Sequence, residues 1–412
     1  MRLILRNVGI IESANIELSG LTVIAGNNDT GKSTVGKVAF SLTKAYEDFE
    51  IESEREKNRI IRRCFREVYA LVRKNISFLK KPKLRKFFDR INFGHEDSKN
   101  IPQIIKEGKD IISSEEMNEE IKVRVLQLFN QVEIICKKEE AKNDKIIHSL
   151  DRIIKSEFKN QILNLASDNA CIEVLEGQNQ IIRISLKKDE TNVVLKDKIF
   201  PFESSIFIES PIILTYKDAF EYQEDVPYHI ADLLERLKRS VVYNEKEESN
   251  ISKIIEGKIS FNEEDDLFEF KKKVNNKLVN IDLRNVASGI KNFGLLQLLE
   301  RSSEFNKNML LVIDEPEVHL HPDWQVEYAK VLVSLVKRGV RVLVTSHSPY
   351  LIEALSKYSQ EGGLTEKTRF YLAEKAENGN ATIKDKTKDK DEIFEKLSKP
   401  FERLIFGEEN AE

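Results

Sequence analysis

The stretch of sequence that decides the fold reads Gly26-Asn27-Asn28-Asp29-Thr30-Gly31-Lys32-Ser33-Thr34. It fits the pattern G-x-x-x-x-G-K-[ST], which is the phosphate-binding loop, or P-loop. An apolar run over residues 21–25 precedes this loop and predicts a buried strand, and residues 35–42 follow it with helical spacing. Strand, glycine-rich loop and helix is the order that lets backbone N–H groups and a helix N-terminus surround phosphate oxygens.

The residue types in this loop suit the chemistry of a nucleotide. Gly26 and Gly31 allow the backbone to curl so that its N–H groups point inward. Lys32 is expected to reach the β- and γ-phosphates, and the Ser33 hydroxyl is expected to bind Mg²⁺. The alternative, a chance glycine loop, is disfavoured by the flanking elements. The predicted nucleotide contacts are Gly26, Asn27, Asn28, Asp29, Thr30, Gly31, Lys32, Ser33 and Thr34.

The composition indicates a protein with a substantial core and a highly charged surface. Of 412 residues, 40% are hydrophobic and 33% are charged, and the formal net charge is -4. The chain contains no apolar run of about 18 residues, and its first residues lack the apolar core and cleavage site of a signal peptide. The three scattered cysteines suit a reducing cytosol rather than a disulfide framework or a zinc site. We therefore expect a cytoplasmic protein that does not contact membranes.

Hydrophobic periodicity divides the chain into a nucleotide-binding head and a helical insertion. Residues 309–344 read as strand, helix and strand, which predicts a βαβ unit of a parallel sheet. Period-two segments elsewhere predict antiparallel strands, so the expected fold is α/β with a mixed sheet. If residues 46–79 form one helix, that helix is about 50 Å long. The predicted domains are 1–45 for the first part of the head, 46–166 for the helical insertion, 167–360 for the second part of the head, and 361–412 for a C-terminal hairpin and helix.

A basic stretch covers residues 55–90 within the predicted insertion. It contains fourteen Lys and Arg residues against three acidic residues, for a net charge of +11. Clustered basic residues neutralise phosphates and release counterions, so nucleic acid is one possible partner. An acidic partner protein and a solvated helix face are the alternatives.

Two strand ends carry further candidate residues. The apolar run 310–313 ends in Asp314 and Glu315. We expect Asp314 to hold Mg²⁺ through water and Glu315 to act as the general base on the attacking water. His347 ends the next predicted strand and is expected to contact the γ-phosphate or the water, although a lone histidine is more often structural.

A second anion-binding helix end is predicted around residue 288. Ser288 and Gly289 open an apolar helix, with Lys291 one turn further. One chain offers one triphosphate to bind, so a second phosphate-binding end makes sense if it serves the nucleotide of another chain. The alternative is an ordinary helix cap.

Taken in order, residues 26–34, 288–291, 314–317 and His347 resemble the motifs of ABC-class ATPases of the SMC-like group. More narrowly, residues 313–322 with 345–349 resemble the OLD-like ATPases (overcoming lysogenization defect). The resemblance covers about 1–45 and 170–360. It implies a fold of ABC-ATPase type and a homodimer, or a higher homo-oligomer, that encloses two ATP·Mg²⁺. In that dimer Ser288 and Gly289 would serve the opposite chain.

The same resemblance implies two further features. Residues 317–321 would form the D-loop at the dimer seam, which explains His319 and His321 better than a metal cluster with Glu317 does. The family also uses a glutamine that touches Mg²⁺, the Q-loop glutamine. Gln178, Gln180 and Gln223 are the candidates, and the sequence does not choose among them.

One departure from the OLD-like pattern shapes the functional prediction. Many members carry a C-terminal Toprim nuclease, whereas 65 residues follow His347 here. Asp389 and Asp391 have the spacing of a nuclease motif, but they lie in a charged segment without a preceding apolar strand. We therefore expect an ATPase that regulates a separate effector, such as a nuclease, in an anti-phage defence system of the Septu or PARIS type. The alternatives are an SMC- or RecF-like ATPase of DNA repair or chromosome maintenance, and a nucleotide-gated scaffold with little turnover.

Overall fold

The computed structural model describes residues 1–75, 81–93, 100–159, 161–188, 190–196, 199–221, 225–239, 250–262, 264–301 and 304–406. The strands in these residues are β1 (Arg2–Val8), β2 (Ile11–Glu17), β3 (Leu21–Gly26), β4 (Asn169–Glu176), β5 (Asn179–Lys187), β6 (Glu190–Leu195), β7 (Ser204–Ile208), β8 (Gly257–Asn262), β9 (Leu267–Val274), β10 (Lys277–Asp282), β11 (Met309–Asp314), β12 (Arg341–Ser346), β13 (Thr368–Lys375) and β14 (Ala381–Asp385). The helices are α1 (Lys32–Glu47), α2 (Phe49–Asn75), α3 (Pro82–Phe93), α4 (Ile101–Ser114), α5 (Glu119–Lys137), α6 (Lys142–Phe158), α7 (Lys217–Glu221), α8 (Tyr228–Arg239), α9 (Asn250–Ile254), α10 (Ser288–Arg301), α11 (Pro322–Lys337), α12 (Pro349–Glu361) and α13 (Asp391–Phe406).

One large mixed sheet organises the nucleotide-binding head. Its described strands follow the order β6-β5-β4-β1-β2-β14-β13-β3-β12-β11-β7. The P-loop strand β3 is parallel to both neighbours, β12 and β13, and β11 is parallel to β12 and β7. The strands β1, β2, β4, β5 and β6 pair antiparallel at the other side, and β8, β9 and β10 form a separate antiparallel sheet. The predicted α/β fold with a mixed sheet and an antiparallel lobe is confirmed.

The burial of the strands explains why they form where they do. All six residues of β3 and the first five of β11 are buried, as expected for parallel strands covered by helices on both faces. In β5, buried and exposed residues largely alternate, which is the pattern of an antiparallel strand with one solvated face. Because parallel strands align their carboxyl ends, the residues that follow β3, β7, β11 and β12 come together at one edge.

The chain divides into two compact units, residues 1–47 with 150–412 and residues 48–149. The smaller unit is helical and has its own core, which includes Val68, Phe87 and Phe129. The sequence had suggested 46–166 for the insertion. Residues 150–166 belong to the head instead, because Leu150 and Ile153 are buried in its core and Val8 bridges to Leu163.

Residues 46–75 do not form one continuous helix, which was the condition for the length of about 50 Å over residues 46–79. Helix α1 ends at Glu47, α2 begins at Phe49 and runs to Asn75, and residues 76–80 lie outside the described part of the chain. No described helix is both long enough and apolar enough to cross a membrane.

The C-terminal segment contains an antiparallel hairpin of β13 and β14, and this hairpin is part of the head sheet. Strand β13 lies between β14 and β3, and Ala373 pairs with Gly26 at the start of the P-loop. Asp389 lies in a turn and Asp391 opens α13. Residues 368–385 therefore form part of the surroundings of the P-loop.

Candidate active site

The P-loop joins β3 to α1 in a conformation that only glycine can adopt at two positions. Gly26 has φ 154° and Gly31 has φ 81°. A Cβ atom on Gly31 would lie 2.6 Å from Ile11 Cγ1, and one on Gly26 would lie 2.5 Å from the carbonyl oxygen of Ala373. Both glycines are therefore required by backbone angle and by space, which gives the motif spacing its structural cause.

Lys32 is buried in the loop and directed toward the strand ends. Its Nζ donates to the carbonyl oxygens of Gly26 at 3.0 Å and Asn27 at 2.7 Å, and it lies 3.2 Å from Glu315 Oε1. The Thr30 hydroxyl donates to the same Asn27 carbonyl at 2.8 Å, which fixes the curl of the loop. The Lys32 ammonium group thus lies between the carbonyl oxygens of the P-loop and Glu315, the candidate general base.

Asp314 ends β11, Glu315 follows it, and the two carboxylates have different surroundings. Asp314 accepts hydrogen bonds from the Ser33 and Thr345 hydroxyls, and burial raises the pKa of its carboxyl above the usual range. Glu315 has φ 46°, and its N–H donates to the Thr345 carbonyl oxygen at 3.1 Å. A left-handed conformation at a non-glycine residue costs about 1–3 kcal/mol and is found mainly at functional sites. Here it turns the Glu315 side chain toward Lys32.

His347 lies between two glutamates after β12. Its Nδ1 is 3.6 Å from Glu315 Oε2 and 3.3 Å from Glu317 Oε1, and 41% of its side chain is exposed. Glu317 is buried and accepts hydrogen bonds from the His347 N–H at 2.6 Å and the Ser346 hydroxyl at 2.7 Å. The structure therefore turns Glu317 inward to hold the histidine loop, while Val318 and His321 are exposed.

A cavity of about 730 Å³ lies at the P-loop, Asp314 and Glu315, and we call it the P-loop cavity. This volume lies within the range of about 300–1,000 Å³ that is usual for small-molecule sites. Its lining comprises Gly9, Ile10, residues 28–34, Phe158, Gln161, residues 163–166, Asp314, Glu315 and residues 378–380. The cavity therefore extends from the phosphate-binding loop over a surface large enough for a nucleoside.

The matched family agrees with this arrangement. A family model described as "AAA ATPase domain" (AAA_15) matches residues 1–352. The chain belongs to this family of AAA ATPase domains. The broad prediction of a P-loop ATPase domain is thereby confirmed, and the narrower resemblance to OLD-like ATPases stays a prediction.

This AAA ATPase domain is also similar to solved SMC heads. One is described as the SMC head domain from Thermotoga maritima, with 12% identity, coverage of 93% of this chain and 97% of that chain, and a TM-score of 0.40. A second is an SmcHead bound to the C-winged helix domain of ScpA, with 10% identity, coverage of 93% and 96%, and a TM-score of 0.42. A third, derived from Pyrococcus furiosus, has 11% identity, coverage of 96% and 98%, and a TM-score of 0.34. No curated protein sequence matches the chain.

The AAA ATPase domain places Ser288, Gly289 and Lys291 at the start of α10, away from the P-loop. Within the described lining of the P-loop cavity, none of these three residues occurs. A Cβ atom on Gly289 would lie 3.0 Å from the Trp324 side chain. Lys291 Nζ donates a hydrogen bond to the Thr215 hydroxyl at 3.0 Å. Burial lowers the pKa of Lys291. The α10 start is thus a separate surface next to residues 316–320.

The residues that could hold Mg²⁺ are a hydroxyl and a carboxylate at the mouth of the P-loop. Ser33 and Asp314 are already joined by a hydrogen bond, and both offer the oxygen ligands that Mg²⁺ prefers. Elsewhere in the described chain there is no cluster of three or more His, Cys, Asp and Glu residues fit for a metal. His321 instead caps α11, where its Nδ1 accepts from the Asp323 N–H at 3.3 Å.

The Q-loop candidates lie away from this edge. Gln178 is in the exposed turn between β4 and β5, Gln180 donates to Glu173 at 3.2 Å, and Gln223 is outside the described residues. The residue that follows β7 beside Asp314 is Glu209, because Ile208 pairs with Ile313. An acidic residue directly after the apolar run 206–208 was the available sequence signal. The sequence also did not predict that the Thr345 hydroxyl donates to Asp314. Nor did it predict that Glu317 accepts hydrogen bonds from the Ser346 hydroxyl and the His347 N–H.

The buried Glu317 carboxyl predicts a pH dependence of stability. Burial raises its pKa, so the folded chain binds this proton more tightly than the unfolded chain. Its contribution to stability therefore falls as pH rises from about 4.3, the unfolded value, through the folded value. We expect the melting temperature of Glu317→Gln, relative to the unchanged protein, to increase between pH 4.5 and pH 7.

Glu374→Gln is the matched control for this measurement. Lys396 and Lys384 lower the pKa of Glu374, so its contribution is present above the unfolded value and is lost at lower pH. The relative melting temperature of this variant should therefore stay nearly constant between pH 4.5 and pH 7 and change only at lower pH. Parallel curves for the two variants would contradict the assignment of Glu317.

Proposed function

We propose that this AAA ATPase domain binds ATP with Mg²⁺ and hydrolyses it. The observation that carries the proposal is the position of Glu315 at the mouth of the P-loop cavity, with Lys32 3.2 Å away on one side and His347 3.6 Å away on the other. The P-loop N–H groups and Lys32 would bind the β- and γ-phosphates, and Ser33 and Asp314 would hold the metal. Bound Mg²⁺ supplies charge neutralisation at the phosphate oxygens.

In this mechanism each side chain has a defined task. Glu315 accepts the proton of the attacking water, and His347 orients that water or the γ-phosphate. Lys32 stabilises the charge that accumulates on the phosphate oxygens. The hydrogen bonds from Ser346 and from the His347 N–H to Glu317 hold the histidine loop in place.

We propose further that two copies of the chain complete each other's sites. Ser288, Gly289 and Lys291 begin a 14-residue helix whose N-terminus is suited to an anion, yet in the described structure they do not line their own P-loop cavity. In a two-fold dimer they would contact the γ-phosphate held by the partner. ATP would close such a dimer because these contacts exist only in the closed state.

The cellular role that we propose is regulation of a separate effector, such as a nuclease, in prokaryotic anti-phage defence. The resemblance to OLD-like ATPases supports it. A nucleotide-gated scaffold is distinguished by steady-state turnover: measured release of phosphate would exclude it. Purification of the native complex tests the effector directly.

A second candidate, an ATPase that acts on DNA, is favoured by one observation in the helical unit. Four arginines on α2, at spacings of four, three and four residues, line a surface pocket of about 290 Å³. These spacings place them on one face over about 16 Å of helix. They are Arg55, Arg59, Arg62 and Arg66.

We predict that the double variant Arg62→Glu and Arg66→Glu weakens DNA binding. Each lost phosphate contact reduces the magnitude of the slope of log affinity against log salt concentration by about 0.9. The two substitutions should therefore reduce that magnitude by about 2. Fluorescence anisotropy with a labelled duplex between 50 and 200 mM salt measures this slope. Over that interval a protein with about 6–10 phosphate contacts loses about 10³-fold or more in affinity.

The matched control is Lys357→Glu with Lys388→Glu, which makes the same charge change at exposed sites in the head. DNA binding that is equal in the two double variants would contradict the DNA candidate. Loss of a co-purifying protein only from the arginine variant would support the effector role.

A further inference from the structure

A buried histidine beside the P-loop cavity bridges two carboxylates. His229 is the second residue of α8 and is 1% exposed. Its Nδ1 lies 2.8 Å from Glu157 Oε2, and its Nε2 lies 3.1 Å from Glu209 Oε2. Both ring nitrogens therefore face acceptors, which is the arrangement that suits a doubly protonated imidazolium. The mechanism proposed above assigns no role to His229.

The ring is held firmly in this orientation. The His229 N–H donates to Glu157 Oε1 at 2.8 Å, so Glu157 binds both the backbone and the side chain of His229. The imidazole also packs on Phe207, with 4.6 Å between ring centroids, and edge-on to Phe40 at 6.3 Å. These contacts leave the ring a single direction in which to present Nε2, which is toward Glu209.

Glu209 is directed to the catalytic edge of the sheet. Because Ile208 pairs with Ile313 in parallel register, Glu209 and Asp314 are the next residues on neighbouring strands. The Glu209 side chain is 43% exposed, whereas its partner His229 is buried. One carboxylate oxygen is thus bound by the histidine while part of the carboxylate stays accessible to solvent.

Charge balance explains why a histidine is placed behind this residue. Asp314, Glu315 and Glu209 would together put three negative charges beside a triphosphate, and like charges at this distance repel. The imidazolium of His229, whose Nε2 is hydrogen-bonded to Glu209, offsets one of them. Glu209 therefore remains an acceptor that can be tolerated next to phosphate.

We infer that Glu209 is a further residue of the nucleotide site, where its carboxylate accepts a hydrogen bond from water bound to the metal, and that His229 and Glu157 position it. This inference rests on the proposed ATP·Mg²⁺ function. Residues that orient ligands from outside the coordination sphere typically change metal affinity by about 10–100-fold when they are replaced.

The test uses the full chain with adenylyl imidodiphosphate and Mn²⁺, whose binding is followed by electron paramagnetic resonance. Glu209→Gln keeps the shape of the side chain and removes its charge. We expect it to weaken Mn²⁺ binding at least about 10-fold, with the affinity for the nucleotide alone unchanged within about two-fold. Glu157→Gln should weaken Mn²⁺ binding by a smaller factor, because it acts through His229.

Asp232→Asn is the control for a purely structural effect. Asp232 lies on the same helix α8 in a buried ion pair with Lys44, which is about 18 Å along α1 from Lys32. The Asp232→Asn variant should have a lower melting temperature and an unchanged affinity for Mn²⁺. The inference is overturned if Glu209→Gln behaves like Asp232→Asn, with a lower melting temperature and unchanged Mn²⁺ binding. If the unchanged protein binds no nucleotide, the proposed function fails instead.

Discussion

Replacing Glu315 with glutamine is expected to lower ATP hydrolysis by about 10² to 10⁴-fold, the usual contribution of a positioned general base. Glutamine has nearly the same shape but cannot take a proton from water at neutral pH. The P-loop contacts of Lys32 with Gly26 and Asn27 do not involve Glu315, so nucleotide binding should persist. The variant should therefore accumulate in the ATP-bound, dimeric state.

Steady-state phosphate release measures the loss, and light scattering with ATP measures the dimer. Glu327→Gln is the matched control, because Glu327 is an acidic residue on α11 that pairs with Lys330 outside the P-loop cavity. Its turnover should equal that of the unchanged protein. Hydrolysis by Glu315→Gln within about two-fold of the unchanged protein would remove Glu315 from the role of general base.

Mixing two inactive variants is expected to restore ATP hydrolysis if the sites are shared between chains. Lys32→Ala removes the cation that contacts the β- and γ-phosphates. Ser288→Glu places a negative charge at the N-terminus of α10, where it would repel the partner's γ-phosphate. Each variant alone should lose at least about 10² in turnover, because both sites of its own dimer carry the defect.

In the mixed dimer the two defects fall on opposite sides. One site combines Lys32 of the Ser288→Glu chain with Ser288 of the Lys32→Ala chain and is intact, while the other carries both changes. With random pairing, about one quarter of all sites are intact, so the mixture should recover about one quarter of normal turnover. Ser288→Ala is the control without added charge and should lose far less than Ser288→Glu.

The absence of recovery in the mixture would contradict shared sites if both variants are folded and the Lys32→Ala chain still exchanges partners. Turnover by Ser288→Glu alone at the normal rate would contradict any role of the α10 start in hydrolysis. These outcomes concern dimerisation, whereas the Glu315→Gln result concerns chemistry within one site. The two experiments therefore test separate parts of the proposed function.

Local sequence was sufficient for the parts of the site that occupy one strand end and the loop after it. The P-loop, Asp314, Glu315 and His347 all follow short apolar strands, and the structure places Lys32 beside Glu315 and Glu315 beside His347. Such motifs can be predicted because their geometry depends on neighbours within a few residues. Gly31 is an example, since its φ of 81° is a property of the loop itself.

Only the tertiary structure decided which distant residues complete the site. The pairing of β13 with β3 joins residues separated by more than three hundred positions, and Glu209 follows β7 beside Asp314 only because β7 pairs with β11. Glu157 and His229 carry no local motif, and the motif that contains Glu317 did not predict its contacts, because the partners of all three come from other elements. The sequence by itself determined a phosphate-binding loop, its acidic partners and an α/β head. Strand order and burial decided which carboxylates face the P-loop cavity and which ones hold other residues in place.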